Sequence, residues 1–104
     1  MAFEVVASAE FNALLDEAVA FRIDNYGLRS ARKLLNAVDN LSDHLADNPH
    51  MGRVVEEDAD YATPLRWVRV DSYIAAYRVH ESHEQVALLK LFSATSNWRR
   101  SVLH

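Results

Sequence analysis

Residues 65–94, LRWVRVDSYIAAYRVHESHEQVALLKLFSA, decide the fold because their pattern predicts three short strands joined by two tight reversals. β-branched, aromatic and aliphatic residues favour strands, whereas polar residues mark the breaks between strands. The breaks fall at residues 70–73 and 80–84. We expect the upstream part of the chain to cover the resulting sheet.

The alternation of side chains along these strands predicts which residues share a face, because successive strand residues point to opposite sides. One face of the second strand carries Tyr73, Ala75, Tyr77 and Val79. One face of the third carries Val86, Leu88, Lys90 and Phe92. The third strand is apolar on both faces except at Lys90, so we expect it at or near the centre of the sheet. Lys90 then lies either at a rim, with its stem packed, or on a functional face.

The composition indicates one domain over residues 1–104, since apolar residues make up 50% of the chain. No apolar run approaches the roughly 18 to 20 residues that cross a bilayer, and the amino terminus does not resemble a secretion signal. The absence of cysteine excludes disulfides, thiolate catalysis and cysteine metal sites. We therefore expect a cytoplasmic protein without membrane contact, and no motif indicates a metal or a cofactor.

The charge is divided unevenly along the chain. The net charge is −4, but residues 1–64 hold five basic and twelve acidic residues, whereas residues 65–104 hold six basic and three acidic ones. The first part therefore carries −7 and the sheet region +3. This division indicates an anionic or acidic partner at the sheet.

Two amphipathic helices are predicted before the sheet, after a first strand at residues 3–7. Ser8 supplies the cap of the first helix and Gly27 its end. Its apolar stripe is Phe11, Leu14, Leu15, Ala18, Val19 and Ile23. The second helix continues to Asp47, with the stripe Ala31, Leu34, Leu35, Val38, Leu41 and Leu45. So short a connection predicts an antiparallel helical hairpin.

The remaining segments are short. We interpret the acidic residues 56–60 as a solvated loop, because the glycine and terminal glutamate of a calcium loop are missing. Ser96 or Asn97 caps a short last helix or tail over residues 98–103. The fold class is therefore α+β in the order β-α-α-β-β-β, with the first strand and the helical hairpin packed on a small antiparallel sheet.

In this order of elements the chain resembles the RelE/ParE superfamily of toxins from bacterial type II toxin–antitoxin systems. In that superfamily the second helix runs into a leucine and a Pro-x-x-Gly motif, matched here by Pro49-His50-Met51-Gly52. The superfamily's arginine ahead of the sheet is matched by Arg66 or Arg69. Its tyrosine-rich strand is matched by residues 73–79, and its aliphatic strand with one basic residue by residues 88–92. The resemblance covers nearly the whole chain.

The segment after the last strand departs from that pattern. The superfamily often carries a histidine and one or two arginines there, whereas this chain has Ser93-Ala94-Thr95-Ser96. Cleavage of RNA by its 2′-hydroxyl needs a proton acceptor, a proton donor and a cation for the developing charge. The cations are present, but the histidines nearest the sheet, His80 and His83, lie in or beside a turn.

The resemblance implies one function and two alternatives. The first is a ParE-like toxin that inhibits growth and serves plasmid stabilisation by binding DNA gyrase, without catalysis. The second is a RelE-like, ribosome-dependent endoribonuclease of mRNA, and the third is a degenerate member that only binds its antitoxin. All three imply a cognate antitoxin as partner, in a toxin–antitoxin hetero-oligomer, with a homodimer as the other use of the same apolar surface.

The expected site residues form two groups. The residues expected to contact the cellular target are Arg66, Arg69, Arg78, Lys90, Arg99, Arg100 and Trp98. The groove expected to receive an apolar antitoxin helix is formed by Leu14, Leu15, Ala18, Leu34, Leu35 and Val38. A structural interpretation stays open for several of these residues, with Arg99 and Arg100 as solvated surface and Trp98 as an anchor for the tail. Tyr73 and Tyr77 are expected in the core.

Overall fold

The computed structural model describes residues 2–98, apart from the side chain of Glu57. Within that part the elements are β1 (Glu4–Ala7), α1 (Ala9–Tyr26), α2 (Leu28–Asp47), β2 (Arg53–Val54), β3 (Arg66–Val70), β4 (Tyr73–His80) and β5 (Gln85–Ser93). Single 3₁₀ turns lie at Glu56–Asp58 and Glu81–His83. The α+β class and the predicted order are confirmed, and the two-residue strand β2 is an addition.

The ends of the helices follow from local chemistry. The Ser8 hydroxyl accepts a hydrogen bond from the Phe11 N–H at 2.9 Å, which caps α1. The same hydroxyl donates to the Leu89 carbonyl at 2.9 Å, so the cap also ties α1 to the sheet. Gly27 has φ 91°, a conformation that favours glycine, and separates the two helices of the hairpin.

The sheet has the order β1-β5-β4-β3-β2. β5 therefore lies between β1 and β4, as its apolar sequence predicts. The prediction of an antiparallel sheet holds for β2 to β5 but not for β1, which pairs parallel to β5. The chain between β1 and β5 contains the helical hairpin and strands β2 to β4. It is therefore long enough to place the two strands side by side in parallel, which a tight turn cannot do.

A β-bulge in β5 corrects the predicted alternation. The pairing passes from Ala76 with Lys90 to Tyr77 with Leu88, so Leu89 is an extra residue in β5. An extra residue reverses the facing of the rest of the strand. Leu91 therefore joins Val86 and Leu88 in the core under the helices, and Lys90, which strict alternation grouped with them, lies on the other face.

The helices cover one face of the sheet, and a loop covers part of the other. The core between helices and sheet contains Phe11, Leu34, Val38, Leu41, Leu45, Val70, Ala75, Tyr77, Val79, Val86, Leu88 and Leu91. A smaller cluster on the far face joins Val55 and Leu65 to Ala76. No helix among residues 2–98 is long and apolar enough to cross a membrane.

The acidic loop is not solvated throughout, so that prediction is wrong at Asp58. The Asp58 carboxylate is buried, accepts a hydrogen bond from the Leu65 N–H at 2.6 Å, and pairs with Arg78 at 2.8 Å. A buried carboxylate needs such partners. The expected last helix, residues 98–103, lies outside the described residues beyond Trp98.

Candidate functional site

The sheet face opposite the helices gathers basic side chains from four strands. Strand pairing places Arg53 beside Trp67, Arg69 beside Ile74, and Lys90 beside Ala76. Arg78 follows Ala76 by two residues, so alternation puts it on the same face. We call Arg53, Arg69, Arg78 and Lys90 the cationic face. The bulge at Leu89 is what turns Lys90 toward it.

The members of the cationic face differ in how their charge is used. Arg78 pairs with Asp58 and also donates to the Thr63 carbonyl, so it holds the 56–65 loop. Lys90 lies 3.8 Å from a carboxylate oxygen of Glu10, a loose contact at a partly exposed position. Arg69 is exposed and donates its Nε–H to the Asp71 carbonyl at 3.1 Å. Arg69 and Lys90 therefore keep the most accessible charges among the site residues predicted on this face.

Two tryptophans lie together at the cationic face. The ring centroids of Trp67 and Trp98 are 5.1 Å apart, and Trp98 is buried. The Arg53 guanidinium, which sequence reasoning missed, lies 5.9 Å from the centre of the Trp67 ring. Trp98 thus packs against Trp67 of β3, as an anchor for the end of the chain would do. Arg99 and Arg100 lie outside the described residues.

Arg66 does not belong to the cationic face and contacts the loop after α2 instead. It pairs with Tyr77, whose side chain belongs to the helix-side core. Its guanidinium donates to the Gly52 carbonyl at 2.9 Å and to the His50 carbonyl at 3.3 Å. Arg66 thus closes the loop that follows α2.

The same loop is locked from inside by Tyr77. The buried Tyr77 hydroxyl accepts from the Gly52 N–H at 2.8 Å and donates to the Pro49 carbonyl at 2.9 Å. Burial raises the pKa of this hydroxyl, although the Gly52 hydrogen bond and the charge of Arg66 oppose the rise. A Cβ on Gly52 would lie 2.5 Å from the hydroxyl oxygen and 2.7 Å from the Trp67 carbonyl oxygen. The Pro-x-x-Gly motif therefore has a packing role, and the expected core position of Tyr77 is confirmed.

A buried arginine and a partly buried aspartate join the hairpin of helices to the turn between β3 and β4. Arg22 donates to the two Asp71 carboxylate oxygens at 2.7 and 3.4 Å, and also to the Ser72 hydroxyl and the Ser30 carbonyl. Hydrogen bonding to Arg22 holds the pKa of Asp71 below its usual value, against the opposing effect of burial. Sequence reasoning missed this pair, because 49 residues separate its members and Arg22 lies among the apolar positions of α1.

The predicted antitoxin groove is only partly open. Leu34 and Val38 are core residues and are closed to a partner. The α1 members Leu14, Leu15 and Ala18 are partly buried against the same core. Leu35, by contrast, is 40% exposed. Further exposed apolar residues at the free end of the hairpin, which the prediction did not include in the groove, are Phe21, Ile23, Tyr26 and Leu28.

The cationic face also carries a histidine. His80 ends β4 on this face, four residues beyond Ala76, which pairs with Lys90. That spacing corresponds to about 13 Å along the strand. Among residues 2–98 no three His, Asp or Glu side chains come together as a metal site.

Comparisons with known proteins agree with this architecture. Residues 5–98 match the family described as ParE toxin of type II toxin–antitoxin system, parDE, and the chain belongs to this family. Among solved structures it is similar to the chromosomal ParDE toxin–antitoxin system from P. aeruginosa, with 16% identity, a TM-score of 0.67, and coverage of 88% of this chain and 95% of that one. No curated protein matches the chain.

Two further solved structures share the fold. The toxin–antitoxin complex RelBE2 from Mycobacterium tuberculosis matches with 17% identity and a TM-score of 0.62, over 89% of this chain and 99% of that one. The archaeal RelE–RelB complex from Pyrococcus horikoshii OT3 matches with 16% identity and a TM-score of 0.56, over 91% and 98%. At these identities the similarity shows the fold alone.

Proposed function

We propose that this chain is a ParE-like toxin that inhibits growth by binding DNA gyrase, and that a cognate antitoxin neutralises it. Membership of the ParE toxin family supports the toxin role. The three solved structures described above are toxin–antitoxin systems or complexes, which supports the antitoxin as partner. The proposed location is the cytoplasm.

The cationic face is the feature that supports a binding mechanism over a catalytic one. Arg69 and Lys90 offer accessible positive charge there. The carboxylates that contact this face, Asp58 and Glu10, lie against Arg78 and Lys90 and form ion pairs with them. Complementary charge speeds encounter and fixes register on an acidic surface of the target without any bond being broken.

A RelE-like ribonuclease is the second candidate, and His80 is the observation that favours it. Histidine is the residue type that most often serves in general acid–base catalysis, and His80 shares a face with Arg78 and Lys90. A ribonuclease that relies on His80 loses growth inhibition when this residue is changed to Ala. A gyrase-binding toxin keeps its growth inhibition in the same variant, because His80 lies six residues along β4 from Ile74, which pairs with Arg69.

The experiment that tests the proposed function is expression of the chain alone from a tightly controlled promoter. Growth, plasmid supercoiling and the integrity of translated mRNA are followed in the same cells. Growth arrest with disturbed supercoiling and intact messages is the expected result. Cleavage of ribosome-bound messages contradicts the proposal in favour of the ribonuclease, and a soluble protein without growth arrest contradicts it in favour of a member that only binds its antitoxin.

The antitoxin is proposed to contact the exposed apolar side of α2. Leu28 and Leu35 are seven residues apart, so they share one side of the helix, and both are exposed. Burial of this side by an apolar antitoxin helix follows the helix-in-groove mode of recognition. Leu14, Leu15 and Ala18 border the proposed contact, whereas Leu34 and Val38 support it from the core.

A further inference from the structure

We propose that another side of α2, around Arg29 and Lys33, binds the phosphate backbone of single-stranded nucleic acid. Two neighbouring cavities, of about 730 and 530 Å³, are lined by these two residues together with Asp71. The surface extends along α2 through Arg32, Asn36 and Asn40. It meets the cationic face only at the turn between β3 and β4, where Arg69 donates to the Asp71 carbonyl, and it does not rest on the proposed toxin function.

The charge of this surface is positive because its acidic residue is already paired. Asp71 is the acidic residue that lines both cavities among the described residues, and Arg22 engages both of its oxygens. Arg29, Arg32 and Lys33 thus remain as exposed cations on two successive turns. They also stand near the positive end of the α2 dipole, where no acidic residue occupies the first turn. Such a field favours a bound anion.

The whole-segment charge conceals these three cations. Residues 1–64 carry a net charge of −7, which makes the segment as a whole acidic. Three of its five basic residues are nevertheless spaced three and four positions apart, so they are neighbours on the surface of α2. Asp39 and Asp43 follow farther along the helix and limit the surface at that end. From Arg29 to Asn40 it spans about 17 Å.

The cationic and amide groups along α2 favour a phosphate backbone over an acidic protein helix. Along α2 the second cavity presents cations and two amides, with Ala37 as the apolar residue in its lining. A partner helix requires an apolar seat of the kind that Leu28 and Leu35 offer elsewhere on α2. Cations and amides donate hydrogen bonds to phosphate oxygens without such a seat.

Aromatic rings at one end favour a single strand over a duplex. Tyr26 and Phe21 are 71% and 54% exposed, their centroids lie 6.2 Å apart, and both line the larger cavity. Exposed rings beside cations provide stacking positions for unpaired bases. The bases of a duplex are already stacked within it and are not available for such contacts.

Fluorescence anisotropy of the purified chain with a labelled single-stranded DNA of about twelve nucleotides tests the proposal, a length within known site sizes. DNA lacks the 2′-hydroxyl, so the readout is independent of any ribonuclease activity. With three phosphate contacts the logarithm of affinity falls against the logarithm of salt with a slope of about −2. Lys33→Ala reduces that slope by about 0.7, and Lys33→Arg restores it.

The matched control is Ser82→Glu, which lowers the net charge by one as Lys33→Ala does. Ser82 is exposed in the turn at the other end of β4, about 25 Å from the Asp71 turn. This variant keeps the affinity and the salt slope of the original chain. Tyr26→Ala weakens binding about tenfold without changing the slope, because stacking does not release counterions.

Three results overturn the proposal. The first is an affinity that is unchanged in the double variant Arg29→Ala and Lys33→Ala, with folding verified by circular dichroism. The second is equal or tighter binding of a duplex of the same sequence. The third is displacement of the DNA by polyglutamate at equal charge concentration, which assigns the surface to an acidic protein segment.

Discussion

The two ends of α2 are built in opposite ways. At its C-terminal end Tyr77 and Arg66 satisfy and enclose the 49–52 loop from both sides. At its N-terminal end Gly27 provides no side-chain cap, and cations and apolar side chains remain exposed. The closed end contains two of the features that carry the resemblance to the superfamily, the Pro-x-x-Gly motif and Tyr77 of the tyrosine-rich strand. Those motifs therefore report the fold, and binding has to be sought at the open surfaces.

The largest expected effect comes from the buried pair beneath the open end. Arg22→Ala removes the buried member of the pair and leaves the partly buried Asp71 carboxylate without its partner. Loss of one member of a buried ion pair costs about 3 to 5 kcal/mol of unfolding free energy. Urea unfolding followed by circular dichroism measures the change. A loss below about 1 kcal/mol, the range of surface ion pairs, means that Arg22 does not hold the N-terminal end of α2 against the turn between β3 and β4.

The pH dependence of stability sharpens the same point. The pKa of Asp71 is lower in the folded chain than the usual value of about 3.9. The pair therefore stabilises the fold fully above that value, and its contribution is lost as pH falls through the lower, folded pKa. The stability difference between the original chain and Asp71→Asn is expected to be constant near neutral pH and to shrink in acid. Asp39→Asn, at an exposed position of α2, is the matched control for the change of side chain.

The closed end is tested by Gly52→Ala. The new methyl group meets the Tyr77 hydroxyl and the Trp67 carbonyl oxygen, and the backbone atom cannot rotate away. Overpacking of this kind costs about 1 to 3 kcal/mol, measured by urea unfolding. Tyr77→Phe added to Gly52→Ala does not restore stability, because the Trp67 carbonyl and the ring remain. Full restoration would show that the hydroxyl alone closes the site.

The smallest effect on stability is expected at the open apolar side of α2. Leu35→Asp changes an exposed residue, so the unfolding free energy stays within about 0.5 kcal/mol. Under the proposed function this variant still arrests growth but escapes its antitoxin, because the apolar contact is lost. Growth with and without co-expressed antitoxin measures this. Continued neutralisation of Leu35→Asp places the antitoxin elsewhere.

Much of the fold was predictable because its signals are local. The Ser8 cap, the apolar stripes and the two polar reversals each depend on residues close in sequence, and they define both helices and the three main strands. The bulge at Leu89 was not predictable, because nothing in LLKLF distinguishes an extra residue from regular alternation. Strand β2 has only two residues and is held by pairing with β3. It is therefore too short to show the alternation of apolar and polar residues that predicts a strand.

The site was less predictable because its residues act through distant partners. Arg66, Arg69 and Arg78 look equivalent in the sequence, yet one closes a loop, one is exposed and one pairs with Asp58. Strand alternation alone separates Arg66 from Arg69, but the pairing of Arg78 depends on a residue 20 positions away. Exposed apolar residues at the hairpin end were visible only once the core had been defined.

The most direct test of the central claim compares growth inhibition with folding in one variant. The double variant Arg69→Ala and Lys90→Ala removes two accessible charges of the cationic face and leaves the 49–52 loop intact. We expect an unfolding free energy within about 1 kcal/mol of the original chain, as for exposed positions, together with loss of growth arrest. Growth arrest that persists at equal soluble protein would contradict the assignment of the cationic face to the target.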